Sequence, residues 1–177
     1  MNGKPILTAA MILASFAAWA QNSPKPGPEV KKLDYFVGSW TVEGTFAQGP
    51  WGAGGKFSST DSVEWMAGNF FLLWHSDFKT PPELGGEGKE ISLLGYDTDQ
   101  NRYTHDQFNS QGQHQVSKGT VSGDTWTWTG ESTYEGEDIK GKVTMKILSP
   151  TSYSMKTEIS TDGTTWMPVL EAKATKK

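Results

Sequence analysis

From about residue 38 onward, polar and apolar residues alternate along most of this chain and hardly ever recur at helical spacing. In 39-SWTVEGTFA-47, Trp40, Val42 and Phe46 share one phase, with Gly44 between them. Thr41, Glu43 and Thr45 take the other. Successive side chains of a strand point to opposite faces, so this pattern predicts a half-buried strand. The same period runs through 56–66, where Phe57, Asp61, Val63 and Trp65 are in phase, and through 69–79, where Phe70, Leu72, Trp74 and Phe78 are. Phe71 and Leu73 make the start of that third run apolar on both sides. Seven further runs follow, at 90–97, 102–109, 113–121, 125–133, 140–148, 152–160 and 165–172. Only Glu29–Tyr35 reads as a short helical turn, leading into the first strand.

The joints between runs are turn-forming. Asp97-Thr98-Asp99-Gln100-Asn101, Ser122-Gly123-Asp124 and Thr161-Asp162-Gly163-Thr164 suit tight hairpin connections. Each strand is therefore expected to pair with the next. A meander of ten strands has two exposed edges unless it closes, and closure removes that liability. The predicted fold is all-β, an up-and-down antiparallel barrel of about ten strands, with a β-sandwich as the alternative. A transmembrane barrel fits less well, because runs such as 102–109 and 113–121 lack an apolar outer band.

Composition sharpens this picture at the N-terminus. Ile6–Ala20 is almost wholly apolar, Lys4 is the one charge before it, and Ala18-Trp19-Ala20 is a small-x-small cleavage pattern. Residues 1–20 read as a secretory signal peptide, too short for a membrane span. Residues 21–30 are a Pro- and Gly-rich spacer, and 31–177 a single domain. The expected location is periplasmic or secreted, with no stable membrane anchor. The whole chain carries a formal charge of −4, and loss of Lys4 makes it one unit more negative. An acidic chain with no basic block disfavours nucleic acid as a partner. There are no cysteines, which excludes thiol catalysis, cysteine-ligated metal and iron–sulfur clusters.

Eight tryptophans require a destination. One reading is core, since each aromatic buries roughly 150–250 Å². The other is a ring-lined cavity, because a barrel of eight or more strands can hold a small molecule. The wall of such a cavity would draw on Phe57, Trp65, Trp74, Trp126, Trp128, Met155 and Trp166, with Phe70, Leu72 and Met145 beside them. Asp61 shares the inward phase of its strand and would be a buried carboxylate in need of a partner, such as Arg102 or a tyrosine. Tyr103 and His105 share a phase on the fifth strand. Trp51, in 49-GPWGAGG-55, could lie over the barrel mouth.

Recognised catalytic motifs are absent. There is no G-x-S-x-G elbow, and the glycine stretch lacks a GK[ST] ending and a following helix. Hairpin pairing could bring His105 and His114 together beside Asp77 or Asp106, but solvated, turn-proximal histidines are the commoner outcome. No metal and no cofactor is assigned.

The run 33-LDYFVGSWTVEG-44 resembles the start of DUF1579, a bacterial family of uncharacterised exported and cytoplasmic proteins. So do 67-AGNFFLLWHSDF-78, 94-LGYDTDQNRYTHDQFNSQG-112 and 124-DTWTWTG-130. The resemblance covers residues 30–171 and implies a lipocalin-like, or calycin, barrel. It implies that Trp40 plugs the closed end, with Gly38 permitting a close approach. It carries no activity and no ligand. Haem-binding barrels resembling nitrobindin share the G-x-W start, but their iron ligand is a histidine near the C-terminus. Here the last histidine is His114.

Three functions remain open. The first is an exported barrel binding a small apolar or amphipathic molecule. The second is a small-molecule enzyme that would need Asp61, Arg102, Tyr103 and His105 to converge. The third is an interaction module presenting an exposed patch or free strand edge. The sequence does not specify an oligomeric state.

Overall fold

The structure is a computed structural model describing residues 24–50, 52–134 and 136–177, with Tyr134 described by its backbone alone. The signal-peptide segment and the lid role suggested for Trp51 fall outside the described residues. Ten strands form a closed barrel in which each pairs antiparallel with its chain neighbours and the first pairs with the last. They are β1 (Gly38–Phe46), β2 (Gly55–Trp65), β3 (Leu72–Lys79), β4 (Glu87–Asp97) and β5 (Arg102–Asn109). The second half is β6 (His114–Ser122), β7 (Thr125–Tyr134), β8 (Glu137–Ser149), β9 (Ser152–Ser160) and β10 (Met167–Lys176). The up-and-down barrel expected from the alternation is thus the observed fold. The sandwich alternative is excluded, and the ring of strands has no free edge for strand capture.

Closure rests on β1 and β10, whose register runs from Trp40↔Lys176 to Phe46↔Leu170. Two irregularities on β9's neighbours, at Pro168/Leu170 and Ile147/Ser149, help bend the sheet. At the first, Pro168 has no N–H to give. Val169 is the extra residue, and its carbonyl accepts a hydrogen bond from Ala47 N at 2.8 Å. The third strand begins at Leu72 rather than Asn69, because Gly68 and Asn69 take positive φ in a turn. The bend leaves Phe71 exposed.

One end of the barrel is stoppered by the segment before β1. It forms α1 (Pro28–Lys31), opened by a proline at its first position, and a 3₁₀ turn over Lys32–Phe36. Leu33 and Phe36 are fully buried against Trp40, Leu72, Trp126 and Tyr153. Tertiary packing, not intrinsic helicity, holds so short a segment. Its polar groups are tied down as well. Trp40 Nε1 donates to Phe36 O at 2.7 Å, and Trp65 Nε1 donates to Asp34 Oδ1 at 2.8 Å. The Tyr35 hydroxyl reaches the carbonyls of Ser149 and Ser152 across the barrel. The Tyr103 hydroxyl reaches Glu29. Gly38 has φ +123°, and a Cβ there would lie 2.8 Å from Lys176 Cε. The glycine thus allows the first strand to leave the plug beside the last strand.

Trp40 is the joint between plug and wall, and none of it is exposed. Trp40→Ala should lower unfolding free energy by roughly 3–5 kcal/mol, the usual cost of deleting a buried tryptophan. The expected urea transition has a lower midpoint and an unchanged slope. A loss below about 1 kcal/mol would show that the plug is not an integral part of the fold.

Candidate functional site

Above the plug the barrel is hollow. An interior cavity of about 520 Å³ runs from Phe36 and Tyr153 at its floor to Leu84 and Gln111 at its mouth. Its two sides differ in chemistry, because inward positions differ from strand to strand. On β2 to β6 they include Ser59 and Asp61, Ser76, Glu90 and Ser92, His105 and Gln107, and Ser117. On β7 to β10 and β1 they include Trp128, Val143, Met145, Met155, Leu170 and Val42. The first side carries most of the polar groups, interspersed with Phe57, Trp74, Phe78 and Leu94; the facing side is mostly apolar, with Glu131, Ser132, Lys142 and Thr157 its polar members.

The polar wall is organised by strand register. Asp61 on β2 pairs with Ser76 on β3, which pairs with Glu90 on β4. The two carboxylates thus lie in one row, two strand spacings apart, or roughly 9–10 Å at Cα. Asp61 is 5% exposed and accepts a hydrogen bond from Ser76 Oγ at 2.8 Å. Glu90 accepts from Ser92 Oγ and from Gln107 Nε2, both at 3.1 Å. Among the described residues no lysine, arginine or histidine forms an ion pair with either acid.

Burial therefore dominates the ionisation of this wall. Desolvation raises the Asp61 pKa, with hydrogen bonds from Ser59, Ser76 and Trp74 opposing it. Desolvation also raises that of Glu90, and the Asp61 charge adds to the rise. The His105 ring faces the same space and makes no side-chain hydrogen bond among the described residues. Its ring lies 5.2 Å from that of Trp128, edge to face. Burial pulls its pKa down to about 4 against the opposing pull of Asp106, so the imidazole is neutral at physiological pH. Trp128 in turn lies over Gly119, where a Cβ would come within 2.6 Å of the indole.

Six of the expected wall residues line this cavity: Phe57, Asp61, Trp74, His105, Trp128 and Met155. Met145 also belongs to it. Tyr103 and Trp126 point inward but lie at the plugged end, in the packed core. Trp65 also packs there, held by Asp34. Leu72 is fully buried in the same core, and Phe70 lies outside the lining. Trp166 is outside the lining too, beneath Lys142 Nζ at 4.1 Å from its ring centroid. The partner expected for Asp61, Arg102 or a tyrosine, is replaced by Ser76. The set Asp61, Arg102, Tyr103 and His105 does not converge, since Tyr103 is engaged by Glu29. His105 is not solvated as expected. His114 is, and it approaches Asp106 at 3.5 Å. Among the described residues, no group of three or more His, Asp or Glu is placed to hold a metal ion.

Glu90 is the functional candidate that sequence reading passes over. Its signal was an inverted pattern: in 90-EISLL-94, Ser92 is inside at 1% exposure and Ile91 is outside at 46%. A wider groove of about 840 Å³ crosses the barrel wall near Thr41, Ser58, Asp77 and Lys89. It is open and lined by exposed ion pairs such as Lys89–Asp77 and Lys79–Glu87, which contribute little. The enclosed, aromatic-lined interior is the better candidate.

A barrel stoppered at one end, with a ligand-sized cavity open at the other, defines the calycin-like class. The family model for "Protein of unknown function (DUF1579)" matches residues 25–176, and the chain belongs to that family. No curated protein matches it. Among solved structures it is similar to Rv2717c from M. tuberculosis, with TM-score 0.61 and 14% identity over 85% of this chain and 98% of that one. It is also similar to the S-type phycobiliprotein lyase CPES from Guillardia theta, with TM-score 0.50 and 11% identity over 83% of this chain and 91% of that one. At such identities the likeness concerns the fold alone.

The two acids of the lumen, Asp61 buried and Glu90 half-buried, and the half-buried His105 have opposite linkage. Asp61 and Glu90 hold their protons more tightly when folded, so each subtracts stability as pH rises through its folded pKa. His105 holds its proton less tightly when folded, so its contribution is lost as pH falls from about 6.5 towards 4. Asp61→Asn should raise the melting temperature at pH 8 and change it much less at pH 3.5. His105→Gln should flatten the acid side of the stability curve by on the order of 2–3 kcal/mol. Thermal melts across pH 3.5–8 check both; a pH-independent Asp61→Asn effect would contradict a buried charged carboxylate.

Proposed function

We propose that this protein is an exported small-molecule carrier whose barrel interior takes an amphipathic guest. The observation that carries the reading is the two-sided cavity. Its apolar wall on β7 to β10 would cover a hydrocarbon or aromatic body. Its polar wall on β2 to β6 would orient a head group. A cavity of about 520 Å³ lies within the roughly 300–1,000 Å³ range of small-molecule sites. Export is supported by the apolar run Ile6–Ala20 followed by the Ala18-Trp19-Ala20 pattern.

The neutral fluorophore N-phenyl-1-naphthylamine tests the cavity. It should bind saturably at one site, gain fluorescence and quench the tryptophan emission of Trp74 and Trp128. Val143→Trp, which puts an indole into the lumen from the apolar wall, should abolish the signal while circular dichroism stays that of the parent. Equal binding by the filled variant would place the probe elsewhere and remove the carrier reading. Export is checked separately: N-terminal sequencing of protein recovered from the periplasm or medium should begin near Gln21.

A further inference from the structure

We infer that the guest is an organic cation: an amphipathic protonated amine whose ammonium group sits between Asp61 and Glu90 and whose apolar body lies along the β7–β10 wall. This rests on the interior cavity being a binding site and goes further by fixing the sign and chemistry of the head group.

Charge supplies the first argument. Asp61 and Glu90 flank Ser76 at adjacent register positions in the lumen, and among the described residues neither has a basic partner. An uncompensated buried charge is costly, and removing one partner of a buried pair is strongly destabilising because the other is left alone. Here the acids lack such a partner within the fold. A cationic guest supplies it and recovers that cost on binding. Lys142, which reaches the lumen wall, is already engaged by Glu158 at 3.0 Å and by the Trp166 ring. The remaining titratable groups facing the acids are His105 on β5 and Tyr153 on β9, with Glu131 at the mouth. None is a cation at neutral pH.

Hydrogen bonding supplies the second. The Asp61 and Glu90 carboxylates accept only, and a neutral imidazole keeps one acceptor nitrogen. His105 is half-buried, lines the cavity and has no side-chain hydrogen-bond partner among the described residues. The polar wall thus presents a surplus of acceptors, which suits a head group rich in N–H donors. An anionic head group would meet two like charges. A bare metal ion is disfavoured by the absence, among the described residues, of a cluster of three or more ligating side chains. Trp74, on β3 between the two acidic strands, and Trp128, on β7, add aromatic rings to the lumen, which favour a cation further.

The experiment compares decylamine, 1-decanol and decanoate below their aggregation limits at pH 7.5, by isothermal titration calorimetry. Decylammonium should bind at least tenfold more tightly than decanol, and decanoate more weakly than either. The double variant Asp61→Asn/Glu90→Gln should lose the preference for the amine and retain decanol; Glu90→Gln alone should lose part of it. Both variants remove buried charge, and their melting curves verify folding. Acidification should weaken decylammonium as the two acids protonate and leave decanol unchanged, because an alkylammonium stays charged throughout. Equal affinity for the three, or preference for decanoate, overturns the ammonium assignment and leaves the cavity as a neutral or anion site. If none of the three binds and the naphthylamine also fails, the cavity reading itself falls.

Discussion

The backbone ladder between β1 and β10 is the constraint on which the rest depends. It joins the strand nearest the plug to the last strand of the chain, from Trp40↔Lys176 to Phe46↔Leu170. Without it the sheet has two edges and a solvent-filled concavity. With it the inner face becomes an enclosed volume, packed at the plugged end and hollow above it. The ladder is anchored where it meets the plug. Lys177 N donates to Ser39 O, and Lys176 N donates to Thr151 O. The Lys176 ammonium lies 5.1 Å from the centre of the Trp40 ring. Barrel closure and end closure are therefore one event, sharing Trp40, Gly38 and the C-terminal strand.

That arrangement divides stability from function along the barrel axis. The plugged half is dense with aromatic contacts, including the edge-to-face pair Phe36–Trp126 at 5.2 Å and the tilted pair Tyr103–Trp126 at 4.7 Å between centroids. Such contacts add to the hydrophobic gain. With the core secured there, the other half can stay hollow and can carry Asp61 and Glu90. Buried acids without a counter-ion are tolerated only where the surrounding fold has stability to spare. They mark the part of this chain that folding alone does not explain.

Much of this was legible in the alternation of residues. Ten runs of period two became ten strands, five of them starting or ending where the pattern did. The inward phases of β1, β2 and β3 followed from Trp40/Val42, Asp61/Val63 and Leu72/Trp74. What period two lacks is height. It states which face a side chain takes and is silent on whether that face belongs to the floor or the lumen. Tyr103, Trp126 and Trp65 were therefore grouped with Trp128 and Phe57, although a plug contributed by residues 28–36 separates them. Glu90 escaped for a different reason. On β4 the outer phase carries Ile91, which normally signals the core, and the inner phase carries Glu90 and Ser92. Only cross-strand register with Ser76 and Asp61 reveals which phase is inside, and register is a long-range property.

The inversion on β4 is itself informative. A one-residue slip of register would turn Ile91 inward and Glu90 outward, but it would also turn Leu94 out of the core. The β3–β4 and β4–β5 ladders run without irregularity over their whole length, so the slip is prevented along eight paired positions on each side. The chain thus holds Ile91 in solvent and a carboxylate in the lumen while keeping Leu94 in the core. Hydrogen bonds from Ser92 and Gln107 reduce the penalty without removing it, since neither brings positive charge. Packing at the plugged end fixes the phase, because Leu94 shares it and is buried in the core, and the same alternation carries Glu90 into the lumen. The placement is intelligible if the missing positive charge arrives with the molecule that fills the space.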